Sequence, residues 1–176
     1  MTKWFTADTH FSHAVLASKY RGFDRLEDHD EEIVRIWNHW VQPGDEVYHL
    51  GDFAWKHTEL FVDRLNGRIH LILGNHDDLK KWQHDMFASV QDVLYLHPKH
   101  VGGYGIYLSH YPHRSWRKKE YGGMHLYGHV HGNIPDLGRS MDVGWDRWKR
   151  PVSLTEVRGI LLKRDIHQLW DEEVPI

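Results

Sequence analysis

The apolar run LIL at 71–73 breaks into Gly74-Asn75-His76-Asp77, four residues that the interior of a helix or strand disfavours. They have to stand where an element ends. The same transition recurs: KWFTA (3–7) ends at Asp8-Thr9-His10, DEVYHL (45–50) at Gly51-Asp52, IYL at Ser109-His110, and HLY at Gly128-His129-Val130-His131-Gly132. Five apolar runs that each deliver Asp, Asn or His constrain the chain to sheets whose carboxyl edge collects polar groups, which is where α/β folds bind ligands.

Between the first two runs, LEDHDEEIVRIWNHW (26–40) spaces Ile33, Ile36, Trp37 and Trp40 as one helical face, with its acids in the first half and Pro43-Gly44 as terminator. A second helix is predicted over 57–67, with Leu60, Phe61 and Leu65 inward and Gly67 as stop, and a third over 78–87. From residue 90 short strands and glycine turns take over, with a hairpin expected around Gly102-Gly103. Ser153 followed by Glu156 is a capping-box pattern that opens a helix over 153–162. The order strand, helix, strand, helix, strand followed by a strand-rich rear reads as a layered α/β fold with a second or mixed sheet.

At 176 residues the chain suits one domain, 1–176, and a 40% hydrophobic content with nine Trp excludes a disordered chain. A formal charge of -3 removes any general attraction to nucleic acid or anionic membrane, so a phosphate has to be captured locally. The absence of Cys excludes disulfides, thiolate zinc sites and a thiol nucleophile. MTKWFTADTH meets Asp8 too early for a signal peptide and no apolar run reaches membrane-spanning length, so a cytoplasmic protein is expected.

Carboxylates, an amide oxygen and imidazoles together suit Mn, Fe or Zn, and seven such residues with one bridging carboxylate can hold two ions roughly 3.5–4 Å apart. Asp8-x-His10 and His129-x-His131, on extended backbone, would each aim two side chains the same way. With seventeen His in the chain, roughly 1.6 His-x-His pairs arise by chance, whereas Gly-Asn-His-Asp is expected on the order of 0.003 times. The tetrapeptide therefore carries most of the specificity.

Asp8-x-His10, Gly51-Asp52, Gly74-Asn75-His76-Asp77, His110 and Gly128-His129-x-His131 resemble the motifs of the calcineurin-like metallophosphoesterase family, in the family's order, and the short chain is similar to its small bacterial and phage-type members. The resemblance implies a four-layer α/β/β/α sandwich with two mixed β-sheets. It implies that Asp8, His10 and His131 hold one metal and Asn75, His110 and His129 the other, with Asp52 bridging, and that His76 stands beside the leaving group, oriented by Asp77. Mn2+ is the first expectation for both ions, with Fe, Zn or Ni as alternatives. Two departures stand out: Phe53-Ala54-Trp55 replaces the Asp-Arg-Gly of the family's protein phosphatases, and Phe11 replaces the glycine that often follows the first motif's His.

The expected activity is hydrolysis of small phosphoesters, chiefly diesters such as nucleotides or cyclic nucleotides, by a metal-bridging hydroxide. A nuclease or nucleotide pyrophosphatase is the alternative, kept open by the basic, aromatic stretch YPHRSWRKKEY (111–121), and a non-catalytic scaffold is the reading from another class. Arg114, His13 and Arg21 are the candidate substrate contacts. Asp142, Trp145 and Trp148 are read as support and core, while His29, His39, His57, His70, His84, His97, His100 and His167 lack motif context and are read as surface or packing residues. Protein partners are not indicated.

Overall fold

The computed structural model describes residues 1–166, so His167 lies outside the described residues. In chain order, β1 to β4 are Lys3–Thr6, Glu46–His49, Arg68–Ile72 and Ser89–Gln91, β5 to β8 are Val93–Leu96, Ile106–Ser109, Met124–Tyr127 and Ser140–Asp142, and β9 is Val152–Ser153. The helices α1 to α6 are Leu26–Trp40, Thr58–Val62, Lys81–His84, Pro98–Val101, Trp145–Trp148 and Leu154–Leu161, joined by a π-helical turn at Leu16–Tyr20 and a 3₁₀ turn at Lys119–Tyr121.

Two mixed sheets result. One runs β4-β3-β2-β1-β9, parallel except for β9, and the other runs β5-β6-β7-β8, parallel except for β5. Alternation along each strand builds two cores. Phe5, Tyr48 and Ile72 of the first sheet meet Ile106, Leu108, Leu126 and Met141 of the second, with Val157 and Leu161 of α6 among them. Trp4, Val47, Ile69 and Leu71 point the other way, against Ile33 and Trp37 of α1 and Phe61 of α2. Each such fully buried side chain contributes about 1.5–3 kcal/mol relative to exposure. On the outer face of the second sheet, His125 is covered by the rings of His113 and Trp116, so the fourth layer is supplied by segment 111–123 and its 3₁₀ turn. The architecture is an α/β sandwich around a double sheet. Among the described residues no helix is long and apolar enough to cross a membrane.

Three expected elements differ in extent. The helix over 57–67 is only Thr58–Val62, because Arg64 and Leu65 donate to Phe61 and Val62 in tighter turns before Gly67, at φ 93°, releases the chain into β3; Leu60 is left 58% exposed. The helix over 78–87 contracts to Lys81–His84, followed by similar turns at Met86 and Phe87. The expected hairpin is an antiparallel β5–β6 pair, but Leu96 faces Ile106, so Gly102-Gly103 lie in a long connection that contains α4 rather than in a two-residue turn. Tertiary packing, not local preference, sets these lengths.

The capping box is present: Ser153 Oγ accepts from Glu156 N, and Glu156 accepts from Ser153 N. Ser153→Ala is expected to lower stability by about 1 kcal/mol in urea titration. The Arg150 guanidinium, at 2.5 Å, leads the contacts that hold the Glu156 carboxyl down at about 2, against an ordinary 4.5. A depressed folded pKa gives stability that is complete above the unfolded value and lost as pH falls toward the folded one. The stability deficit of Glu156→Gln relative to wild type should therefore shrink as the titrations are repeated from neutrality toward about pH 3.

Candidate metal centre

The carboxyl ends of β1, β2, β3, β6 and β7 meet at one seam between the sheets. The loops after β1 and β2 continue to pair beyond the strands, with Asp8 N donating to Gly51 O, His10 N to Asp52 O and Phe11 N to Phe53 O, at 2.9, 3.0 and 3.0 Å. Across the seam, Asp8 accepts from His129 N through both oxygens, at 3.0 and 2.9 Å, and His110 Nδ1 donates to Leu50 O at 2.8 Å.

The backbone here is not extended. Asp8, His10, Asp52, His129 and His131 have φ of 56°, 51°, 55°, 70° and 49°, so the alternation expected for Asp8-x-His10 and His129-x-His131 is replaced by left-handed turns. Asp, Asn and His tolerate that region better than other side chains, and it costs about 1–2 kcal/mol per residue that the surrounding bonds must offset. Gly74 is required by close approach: a Cβ there would collide with the carboxylate and amide of Asp52.

Two trios converge. Asp8, His10 and His131 present ligand atoms within 4.8 Å of one another, as do Asp52, His110 and His129. Asp52 Oδ2 lies 3.5 Å from His10 Nε2 and 3.6 Å from His110 Nε2, and Asn75 Oδ1 is 3.0 Å from the same His110 nitrogen. The donor set fits cations. Because Leu50 O can only accept, His110 carries its proton on Nδ1 and turns a lone pair toward Asn75 and Asp52, which are acceptors too. His10 is 2% exposed, yet neither ring nitrogen has a hydrogen-bond partner among the described residues. Burial drives the His10 imidazole down to about 2 and lowers His110 and His129, keeping lone pairs available, while burial pushes the Asp8 carboxyl well above its usual range. Crowded acceptors, among them a carboxyl whose ionised form burial disfavours, are what a pair of divalent ions would satisfy.

Support comes from residues far apart in sequence. His131 Nδ1 donates to Asp146 Oδ2 at 2.6 Å, a bond that raises its pKa and leaves Nε2 for the site. Arg21 has all five N–H donors engaged: two on Asp146, at 2.8 Å each, and the others on Thr9 O, Asp8 O and His29 Nε2. His29 in turn meets Asp30 Oδ1 at 2.8 Å. Arg21 thus holds the loop instead of facing a substrate, and His29, read from sequence as a surface or packing residue, is buried within the site's support. Asp142 braces the other side, accepting from Gly132 N and Gly144 N.

Asp77 accepts from Gly74 N, Asp52 N and Phe53 N at 2.8, 2.7 and 2.8 Å, so its carboxylate is spent on backbone and fixes the loop that carries His76. His76 donates its backbone N–H to Asp52 Oδ1 at 2.9 Å, and its exposed ring lies 5.6 Å from that of His10. His13, half-buried, packs its ring 5.5 Å from His10 and 4.6 Å from Trp55. Arg114 is exposed on the covering loop. Sequence reading missed Asp146 and also Tyr111, whose ring lies 4.6 Å from that of His129 and whose hydroxyl donates to Asn75 Oδ1 at 3.4 Å. Adjacency of Tyr111 to His110 was the available signal.

This α/β sandwich, with groups at its seam that could hold metal ions, is a fold shared with solved structures: a protein described as a novel archaeal phosphodiesterase superposes with a TM-score of 0.50 over 82% of each chain at 20% identity. A protein of unknown function from Aquifex aeolicus superposes with a TM-score of 0.71 over 90% of this chain and 98% of its own, at 24% identity. No protein-family model matches the sequence. The Gene 66 protein of Mycobacterium phage D29 is 31% identical over 192 residues, covering 90% of this chain and 94% of its own, and the chain belongs to the same family. An uncharacterized protein of Methanocaldococcus jannaschii is 33% identical over 141 residues, covering 76% of this chain and 71% of its own.

Replacing Arg21 removes two of the donors to Asp146, leaving His131 and Lys149, and takes the guanidinium from the carbonyls of Asp8 and Thr9. Arg21→Gln is expected to cost about 3–5 kcal/mol, as for a buried pair broken on one side, and to lower metal content by loosening Asp146, which orients His131. Chemical denaturation and elemental analysis of the same preparation check both.

Proposed function

We propose that the chain is a phosphoesterase, and specifically a phosphodiesterase, that uses two divalent ions to hydrolyse small esters such as nucleotides. The observation that carries this reading is Asp52, one of whose oxygens faces the imidazoles of both trios at 3.5 and 3.6 Å. A shared carboxylate between two sets of Asp and His donors is the arrangement that two-metal hydrolysis requires. When bound, the ions would supply a water acidic enough to react near neutral pH and neutralise charge on the phosphate.

The chain's own residues supply the rest. Asp8, His10 and His131 form one ligand set and His110, His129 and Asn75 the other, with Asp52 between them. Neutral imidazoles keep their lone pairs because burial disfavours the charged form. His76 stands at the open rim, where it can give a proton or a positive neighbour to the departing oxygen. Asp77 orients it through the loop's backbone. Mn2+ is the ion tried first, then Fe, Zn and Ni.

The protein loaded with Mn2+ or Zn2+ is expected to turn over diesters faster than monoesters in a panel of mono-, di- and cyclic phosphoesters; the reverse order would overturn the diester reading. His76→Ala should retain metal but lose about 10²–10⁴-fold in kcat toward an unactivated diester, and less toward an activated aryl ester. Unaltered turnover of the unactivated diester would remove His76 from the mechanism. Asp52→Asn is expected to lower the bound metal below two ions per chain by elemental analysis, which tests the bridge without reference to activity.

A further inference from the structure

Two tryptophans stand half exposed beside the site. Trp55 is 46% and Trp82 52% exposed, whereas Trp37, which serves the core, is fully buried. Both line one cleft of about 290 Å³, together with His76, Lys56 and Lys80. The cleft is built rather than incidental. Trp55 N donates to Phe11 O at 2.8 Å, which ties the residue to the loop bearing His10, and its indole packs 5.1 Å from the His76 ring and 4.6 Å from the His13 ring. Trp82 comes from α3 and lines the same cleft. Gln83 and Glu59, joined at 3.0 Å, set the polar part of the lining, and Gln83 also accepts from Lys80 N at 2.8 Å.

Indoles left in water beside a polar floor are covered by a flat ring with a polar edge, and two lysines at the rim add affinity for an anion. The volume admits one base and its sugar, not a folded polymer. Since His76 forms part of the wall, the ring that enters belongs to the group leaving past His76.

We propose that this cleft is the subsite for the departing alcohol of the ester, and that the alcohol is a nucleoside whose base stacks against the indoles while Lys56 and Lys80 meet its next phosphate. The assignment rests on the phosphodiesterase reading above. It narrows that reading to esters with a base on the leaving side.

The test compares two diesters that share one nucleotide and differ in the departing alcohol, a nucleoside in one and methanol in the other. Wild type is expected to favour the nucleoside ester in kcat/KM. Trp55→Ala and Trp82→Ala should each cut that preference about tenfold, the scale of one lost base stack. Trp55→Phe, which keeps a ring, should restore most of it, and Trp40→Ala, at an exposed indole on α1, should leave it intact. An undiminished preference in both alanine variants overturns the cleft assignment. If wild type loaded with Mn2+ or Zn2+ hydrolyses neither diester, the phosphodiesterase reading fails instead, and quenching of tryptophan fluorescence by a nucleoside monophosphate decides the cleft separately. Saturable quenching that both alanine variants weaken supports it; no saturable quenching in wild type overturns it.

Discussion

The two sheets are joined at one end by polar bonds that belong to the candidate ligand residues themselves. Asp8, from the first sheet, accepts the backbone amide of His129, from the second, and His110, from the second, donates to Leu50 O of the first. The apolar core fixes the spacing of the layers, and these contacts fix how the strand ends face each other. Site and fold are therefore coupled. Cations at the seam would relieve the crowded acceptors there and, by binding only the folded chain, would add to its stability.

Much of this was legible in the residues. The acidic, periodic stretch 26–40 became α1 with the expected bounds, and Ser153 with Glu156 capped α6, because both signals are local and tertiary packing did not oppose them. Gly74-Asn75-His76-Asp77 marked a strand end because no element interior accepts it. What escaped detection depends on contacts between distant residues. Arg21 and Asp146 are separated by 125 positions, and only the folded chain shows that one guanidinium serves both. The short strands β8 and β9 were equally invisible, since three and two residues carry no periodicity and pair only because Met141 and Val152 reach the inter-sheet core.

Support for the first trio runs from Asp30 on α1 through His29 and Arg21 to Asp146 and His131. Each link is charge-assisted or excluded from water, which strengthens the bonds and makes any single break expensive. Among the described residues the second trio has no comparable chain of charged side chains; beside Asn75 and Tyr111, backbone holds it, through Leu50 O and the three amides that Asp77 gathers. Two trios of similar chemistry thus stand on mechanically different footings.

The left-handed backbone at Asp8, His10, Asp52, His129 and His131 has an evolutionary corollary. Aspartate and histidine satisfy the turn and, under the proposed function, the ligand requirement at once, so a lineage without that catalysis would be released from only one of the two. Its sequence would drift toward glycine or asparagine at these five sites and not toward alanine, because the chain would still have to turn there. Such a substitution pattern in a descendant would mark lost chemistry with retained architecture.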